Sequence, residues 1–541
     1  MGFLLMFAYP VQPLFSGNQN VYFLWGMAKT GIGSLPLDPL LQQADPFPLF
    51  SALVFIVFKI FKPWFVHILY GLLCVVYSYS VFGIVDHVQG IYKRQLLPFT
   101  SLFLVLHCSE FWGSFLRLTW DLDLRWIWDS GLAEQGMLRG YLQPSVFGVF
   151  LMLALYRFLK NDVRGTFLSL AVAGIFHANY LFIGGIMAVV FFEHFVRSGS
   201  IRQTVIWSVV AISVVLPYLL YTVSQFVPTA INQNVLIDSA VKLTEKDNPH
   251  LDLFQWMNAK TVLQLLVLGV FLLAFRKLRV GRIALILTVI FGCFSFVAFT
   301  LDSTILKSLN PWRISIILIP ISSMLVFWKL FSNPKTKPFS FAVIGVFTAA
   351  IIALVFYRTF GNSDMTSTWR IATLAGMFLI GIIGFWLKQS PVSTSIRTPI
   401  MGPLILLCIT TGIFGTYMES RFRSQSQQTK AVEFIRKTST TKRVFIIPTD
   451  QTSFRLTAEC AIVADNNLVY GLSLADQLQR ISDVTELYDQ DWTDEEQLLK
   501  FCNKHQANSI LVPSSKSLPK LLILQKTYFD SHYAILELLD N

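Results

Sequence analysis

Two aspartates stand out in the first long hydrophilic stretch, GNQNVYFLWGMAKTGIGSLPLDPLLQQADPFPLF: Asp38 and Asp45, each followed by proline. A carboxylate can do acid–base work, although Asp-Pro also makes turns and helix caps. The second stretch, FLRLTWDLDLRWIWDSGLAEQGMLRGYLQPSVFG, is denser still, with Arg117, Trp120, Asp121, Asp123, Arg125, Trp126, Trp128, Asp129, Glu134, Gln135 and Arg139. Indole faces stack on the C–H surfaces of sugars, and carboxylates such as Asp121 and Asp123 bind hydroxyls or a divalent cation, Mg or Mn. An aromatic belt at a membrane interface has the same composition. The Asp-Leu-Asp spacing alone fits a metal-free site equally well.

Three further polar groups lie in apolar surroundings. Arg313, in LNPWRISIILIP, sits at the end of an apolar stretch, where a guanidinium needs a partner. A phosphate is suitable because Arg meets its oxygens bidentately; snorkelling to headgroups or pairing with Asp302 is the alternative. His177, in GIFHANY beside Asn179 and Tyr180, is a candidate contact or a hydrogen-bonded structural histidine. His107 and Glu110, three apart in LHCSEF, share a helix face and can pair with each other. No Cys/His spacing typical of a metal site is present in the sequence.

The elements that must position these residues are set by composition. Of 541 residues, 54% are hydrophobic and 14% charged, and the mean hydropathy is +0.57. Soluble domains carry about 25% charged residues, so an ordinary soluble enzyme and a disordered chain are both excluded, and the net charge of +11 calls for a membrane reading before a nucleic-acid one. About thirteen apolar stretches are long enough to cross a bilayer: 1–15, 64–88, 96–113, 143–159, 165–180, 181–196, 203–224, 259–275, 283–301, 312–330, 338–357, 370–387 and 399–418. The stretch 46–62 is expected to be an interfacial helix, interrupted by Lys59 and Lys62.

Charge orients the array. With the N-terminus in the cytoplasm, the inner turns hold Lys93, Arg94, Arg157, Lys160, Arg164, Arg197, Arg202, Arg276, Lys277, Arg279, Arg282, Lys329, Lys335, Lys337, Lys388 and Arg397, against only Asp86, Asp162 and Glu193. That bias is the asymmetry the positive-inside rule demands. The long segments 16–63, 114–142 and 225–258 then lie outside, and chemistry is expected there. Residues 1–418 form the polytopic part, and 419–541 read as a soluble extracytoplasmic α/β domain. Its strands are expected at 443–448, 460–465, 508–514 and 532–539, its helices at 473–482 and 494–505. Arg455, in TSFRLTAEC, is expected to be structural or to help dock an acceptor. Cys460 and Cys502 form a disulfide or remain two thiols; four other cysteines lie in or beside spans. The sequence has no Asn-x-Ser/Thr acceptor site, in keeping with a bacterial envelope.

A first span, a long outer loop with an acid, an amphipathic helix and a basic-ended span together resemble the GT-C superfamily of integral-membrane glycosyltransferases. The run EQGMLRGYLQPSVFG also resembles a motif of functionally uncharacterised bacterial members. The resemblance covers the whole chain in topology but only short motifs in sequence, and the familiar acidic pair is replaced by two aspartates seven apart. It implies an all-α polytopic fold of about thirteen spans and transfer of a sugar from a polyprenyl-phosphate or polyprenyl-diphosphate carrier to an envelope glycan, lipid or protein, with inversion. It further implies Asp38, or Asp45, as the base, Arg313 and Arg139 on the donor phosphate, and Asp121, Asp123, Trp126, Glu134, Gln135, His177 and Tyr180 near saccharide or acceptor. Membrane lipids are implied partners, and nucleic acid is not. A polysaccharide polymerase or O-antigen-ligase-like protein is the nearest alternative. A transporter or flippase is another, though neither repeat symmetry nor midplane charge points to it.

Overall fold

The computed structural model describes residues 1–9, 11–108, 125–232, 256, 258–301, 306–307, 309–332, 405–417, 420, 429–438, 442–466, 474–490, 492, 495–517 and 523–538. Within them the chain is mostly helical, with a small sheet near the C-terminus. Five helices are long and apolar enough to cross a membrane: Phe65–Gln89, Ala178–Arg197, Ile201–Gln225, Arg279–Thr300 and Pro311–Ser332. At 1.5 Å per residue, each exceeds or reaches about 30 Å of hydrocarbon. Shorter apolar helices are Pro48–Ile60, Leu96–His107, Pro144–Leu159, Val163–Phe176, Lys260–Phe275 and Ile405–Tyr417. The expected spans 338–357 and 370–387 lie outside the described residues.

Burial separates centre from rim. The apolar window of Pro311–Ser332 is 83% buried, whereas that of Ile201–Gln225 is 17% buried and exposes Val205, Val209, Ile212 and Leu220. Apolar side chains left unburied over a whole helix suit a lipid-facing position. The element carrying Arg313 therefore sits at the centre of the helical part.

Two departures from the sequence expectation have local causes. The first stretch forms only Gly2–Ala8; Tyr9 leaves the helix with an extended backbone, and the following segment binds Gly140 through Gln12. The expected hairpin turn at 180 falls instead at His177, whose extended backbone ends Val163–Phe176 and whose Nδ1 accepts from the Asn179 N–H as cap of Ala178–Arg197. The stretch expected to be interfacial does form a helix, Pro48–Ile60, with proline in its first turn.

The C-terminal sheet has strands β1 Val444–Ile446, β2 Ala461–Ile462, β3 Ser509–Pro513, β4 Leu524–Phe529 and β5 Tyr533–Leu538, in the order β2-β1-β3-β5-β4. Strand β1 runs parallel to β2 and β3, while β5 is antiparallel to β3 and β4. Helices Leu474–Asp489 and Glu495–His505 contribute the apolar residues Val484, Leu487, Leu498 and Cys502 to one core; Thr429–Thr438 supplies Ala431 and Ile435 to a second, with Cys460. The two cysteines thus belong to separate cores, both as buried free thiols. Strand β4, LQKTYF, escapes sequence pattern because only Leu524 is fully buried on it.

Candidate functional site

The loops named above are built into three polar clusters. The first surrounds Arg313, which enters on the short helical turn Pro311–Ile314 behind the left-handed Asn310. Its Nη1 lies 3.1 Å from His177 Nε2, and its guanidinium carbon is 5.9 Å from the centre of the Tyr180 ring. Both imidazole nitrogens face donors, the Asn179 N–H and the guanidinium, yet a neutral ring accepts at only one. Which of the two it accepts from depends on the tautomer; in either, the ring sits against the guanidinium and leaves most of its N–H donors to other partners. Among the described residues no carboxylate forms a salt bridge with Arg313; Asp302 lies outside them. Tyr180 donates to Ser145 O at 2.6 Å, and Phe47 packs on His177 at 5.6 Å.

Through Phe47 this cluster reaches Asp45. Asp45 Oδ1 accepts from Phe47 N and Ser51 Oγ, both at 3.0 Å, and Oδ2 faces Lys29 Nζ at 3.5 Å. Tyr221 and Tyr218 donate to the carbonyls of Asp45 and Pro46. Asp45 thus fixes the start of Pro48–Ile60 while standing beside the Arg313 group.

The second cluster is the irregular segment 125–143. Buried non-helical backbone needs outside partners, and it has them: Gln264 Nε2 donates to Ile127 O at 2.9 Å and Ser130 O at 3.2 Å, and Leu132 N donates to Ser315 Oγ at 2.8 Å. That last bond ties the segment to the element carrying Arg313. On the other side Gln19 Nε2 reaches Leu142 O at 3.0 Å and Gln12 N reaches Gly140 O at 2.8 Å. Four non-glycine residues here, Trp126, Ala133, Glu134 and Arg139, adopt left-handed backbone. Such conformations cost energy and concentrate at functional sites.

At the heart of this segment lies Asp129, buried to 3% exposure beside the Tyr9 hydroxyl and in no salt bridge among the described residues. Burial pushes its pKa up to about 6, against the opposing pull of the Tyr9 hydroxyl, Lys260 and Arg139. Trp126 stands among cations: Arg125 and Arg139 lie 5.2 Å from its ring centre and Lys260 6.0 Å. Gln135 is buried with its Oε1 unbonded, whereas Glu134 is exposed. Asp121 and Asp123 lie outside the described residues. No group of three His, Cys, Asp or Glu able to hold a metal occurs among the described residues.

The third cluster contains Asp38. Its side chain is wholly buried, Oδ2 accepts from Arg455 Nε at 2.8 Å and Ile462 N at 3.2 Å, and Oδ1 accepts from Leu40 N at 3.0 Å. Arg455 Nη1 also faces Asp465 at 3.4 Å. Both oxygens of Asp38 are thus engaged by protein donors. The Asp38 expected as a base is, in this structure, the middle of an ion-paired junction.

Of the residues the sequence points to, the fold brings Arg313, His177 and Tyr180 together, joins Asp45 to them through Phe47, and sets Arg139 beside Trp126 and near Asp129. In the sequence Asp129 is one acid of many, and Tyr9, Lys260 and Gln264 lie outside the residues it points to. Lys260 and Gln264, four apart at the start of an apolar helix, carried a signal: polar residues one turn apart on a membrane helix face protein rather than lipid. His107 is structural, bonded to Tyr77 at 2.8 Å and Phe103 O at 2.7 Å; Glu110 lies outside the described residues. No protein-family model matches the sequence, and no curated protein matches it.

Proposed function

We propose that the protein is a membrane glycosyltransferase that moves a sugar from a polyprenyl-phosphate or polyprenyl-diphosphate carrier to a hydroxyl of an envelope glycan, lipid or protein. The finer topology belongs to the same proposal: about thirteen spans in a bacterial inner membrane, the N-terminus cytoplasmic, and the loops and the C-terminal domain outside. The observation that carries it is Arg313, a guanidinium oriented by His177 and Tyr180 at the centre of an apolar array, with no acid in salt-bridge contact among the described residues. A cation so placed wants an anion, and a lipid phosphate supplies one at the depth where the apolar helices end. Polar clusters around Trp126 and Asp45 supply the hydroxyl-binding and aromatic groups a saccharide needs.

In the reaction the acceptor oxygen forms a bond to the anomeric carbon as the bond to the carrier phosphate breaks, and the electron pair leaves with the phosphate, held by Arg313. The acceptor proton goes to a carboxylate. With Asp38 committed to Arg455, Asp129 fits that role best, because a base raised to about 6 is ionised at neutral pH and still accepts a proton readily. Arg139 assists the phosphate, and Asp45 holds the loop that closes on His177.

The experiment is a binding and transfer series in membranes. Arg313→Ala should weaken binding of polyprenyl phosphate, and unchanged affinity would remove the phosphate role. A polymerase of the ligase type would depend on Arg313 and His177 but survive Asp129→Asn, and a flippase would move lipid-linked sugar without transferring it.

A further inference from the structure

The junction at Asp38 joins parts of the chain more than 400 residues apart, and it is more than one ion pair. Segment 33–38 lies along the edge of β2: Ser34 N donates to Glu459 O at 3.1 Å, Ala461 N donates to Ser34 Oγ at 3.0 Å, and Ile462 N donates to Asp38. Gly33 is left-handed and would press a Cβ into Glu459 O, so this approach needs glycine. Leu456, next to Arg455, is fully buried within the apolar cluster of the helical part rather than in the two cores of the sheet. Burial pulls the Arg455 pKa down, but Asp38 and Asp465 together raise it above the ordinary value, so the guanidinium stays charged.

We propose that the C-terminal domain is a clamp on the first loop, with Arg455 a positioning residue and Asp38 its anchor, and that the clamp acts on the Arg313 site through the loop 29–45. This loop is closed at its neck by Lys29 and Asp45 and pinned at its tip by Asp38 and Arg455. The neck leads directly to Phe47, then His177, then Arg313. Two short helical turns, Leu35–Leu37 and Pro39–Gln42, make the path between tip and neck stiff, with prolines in both and Asp38 capping the second. Releasing the tip therefore frees Asp45 and Phe47, and His177 loses the ring that packs on it. The link from clamp to Arg313 rests on the functional reading above, whereas the clamp itself does not.

The test uses the full chain in detergent or nanodiscs. Cys293 is the exposed native cysteine among the described residues, so Cys293→Ala gives a quiet background. In it, Ser34→Cys reports docking, since position 34 is buried under Glu459 and Ala461. Maleimide labelling at position 34 should be slow in the parent and at least tenfold faster with Arg455→Met; equal rates would overturn the clamp. Arg455→Lys, which keeps the charge, should lie between them and serves if Arg455→Met fails to insert.

Affinity for polyprenyl phosphate in micelles is the second readout, which a merely structural domain would not move. It should fall about tenfold in Arg455→Met. It should recover in the uncharged triple variant Asp38→Asn, Arg455→Met, Asp465→Asn, where no buried charge is left without its counter-charge. Restored protection at position 34 with affinity still lost would overturn the positioning role while leaving the clamp. If the parent itself fails to bind polyprenyl phosphate, the functional reading falls and the labelling result stands on its own.

Discussion

Asp38 and Asp129 are both buried aspartates, and they differ in what surrounds the carboxylate. Asp38 accepts three hydrogen bonds, one from a guanidinium it shares with Asp465. Asp129 has the Tyr9 hydroxyl beside it and no salt bridge among the described residues, in a segment where Trp126, Ala133, Glu134 and Arg139 are left-handed. The oxygens of Asp38 are taken up by protein donors, whereas burial raises Asp129 toward neutrality, where a carboxyl exchanges protons near physiological pH. The difference teaches that position in the first loop does not make an acid a base. Its partners do.

The sharpest way to break the comparison is to neutralise each acid in turn. Asp129→Asn should lower transfer by about 10²–10⁴-fold, the usual worth of a positioned general base, while polyprenyl-phosphate affinity stays within about twofold. Transfer unchanged in that variant would return the base to another acid. The pH dependence has a definite sign. Transfer should rise with pH through about 6 as Asp129 ionises. Stability moves the other way: the folded protein holds this proton more tightly than the unfolded chain, so stability is fully present below about pH 4 and falls as pH rises through about 6, by up to roughly 3 kcal/mol. A melting series from pH 4 to 7 in which Asp129→Asn flattens the slope would establish it.

Arg313→Ala comes next, with a loss of about 10–100-fold in lipid-phosphate affinity, the range of a charge-assisted contact. His177→Ala should cost less, since it removes the orienting group but keeps the charge. Equal losses would mean that His177, and not the guanidinium, touches the phosphate.

How much of this was legible beforehand depends on the kind of signal. The apolar stretches and the strands β1, β2, β3 and β5 follow from hydropathy and period alone, because burial of a whole element leaves a pattern in its own residues. The grouping of Arg313 with His177 was half visible, each residue being an oddity in an apolar run. Asp38 and Asp129 could not be ranked from sequence: what separates them is Arg455, 417 residues downstream of Asp38, and the absence of any such partner at Asp129. Pairing over that distance leaves no local trace. The same holds for Tyr9, whose helix ends early because the chain is drawn toward segment 139–142.

On the Asp38 side, Asp38→Asn should cost stability rather than chemistry. It leaves Arg455 buried with a weakened partner, and removing one member of a buried pair costs about 3–5 kcal/mol when complete, less when an amide remains to accept. The loss should appear in the melting or proteolysis of the C-terminal domain and the first loop together. Transfer per folded molecule would fall only as far as loop 29–45 loosens. A normal fold with transfer abolished would reverse the assignment of the two aspartates.

The smallest effect probes the backbone on the Asp129 side. Glu134 is exposed and left-handed at φ 55°, a conformation that costs a non-glycine residue about 1–2 kcal/mol. Glu134→Gly should therefore stabilise the folded protein or leave it unchanged, by at most about 1 kcal/mol once the added freedom of the unfolded chain is counted. Arg139, also left-handed, folds its side chain over Gly136 and contributes a charge beside Trp126, so Arg139→Gly should relieve the same backbone and still lower donor affinity. A thermal shift paired with a binding titration separates the two. If Glu134→Gly also weakened transfer, its carboxylate would join the saccharide contacts, and the left-handed run would be holding a ligand-facing acid rather than only turning the chain toward Asp129.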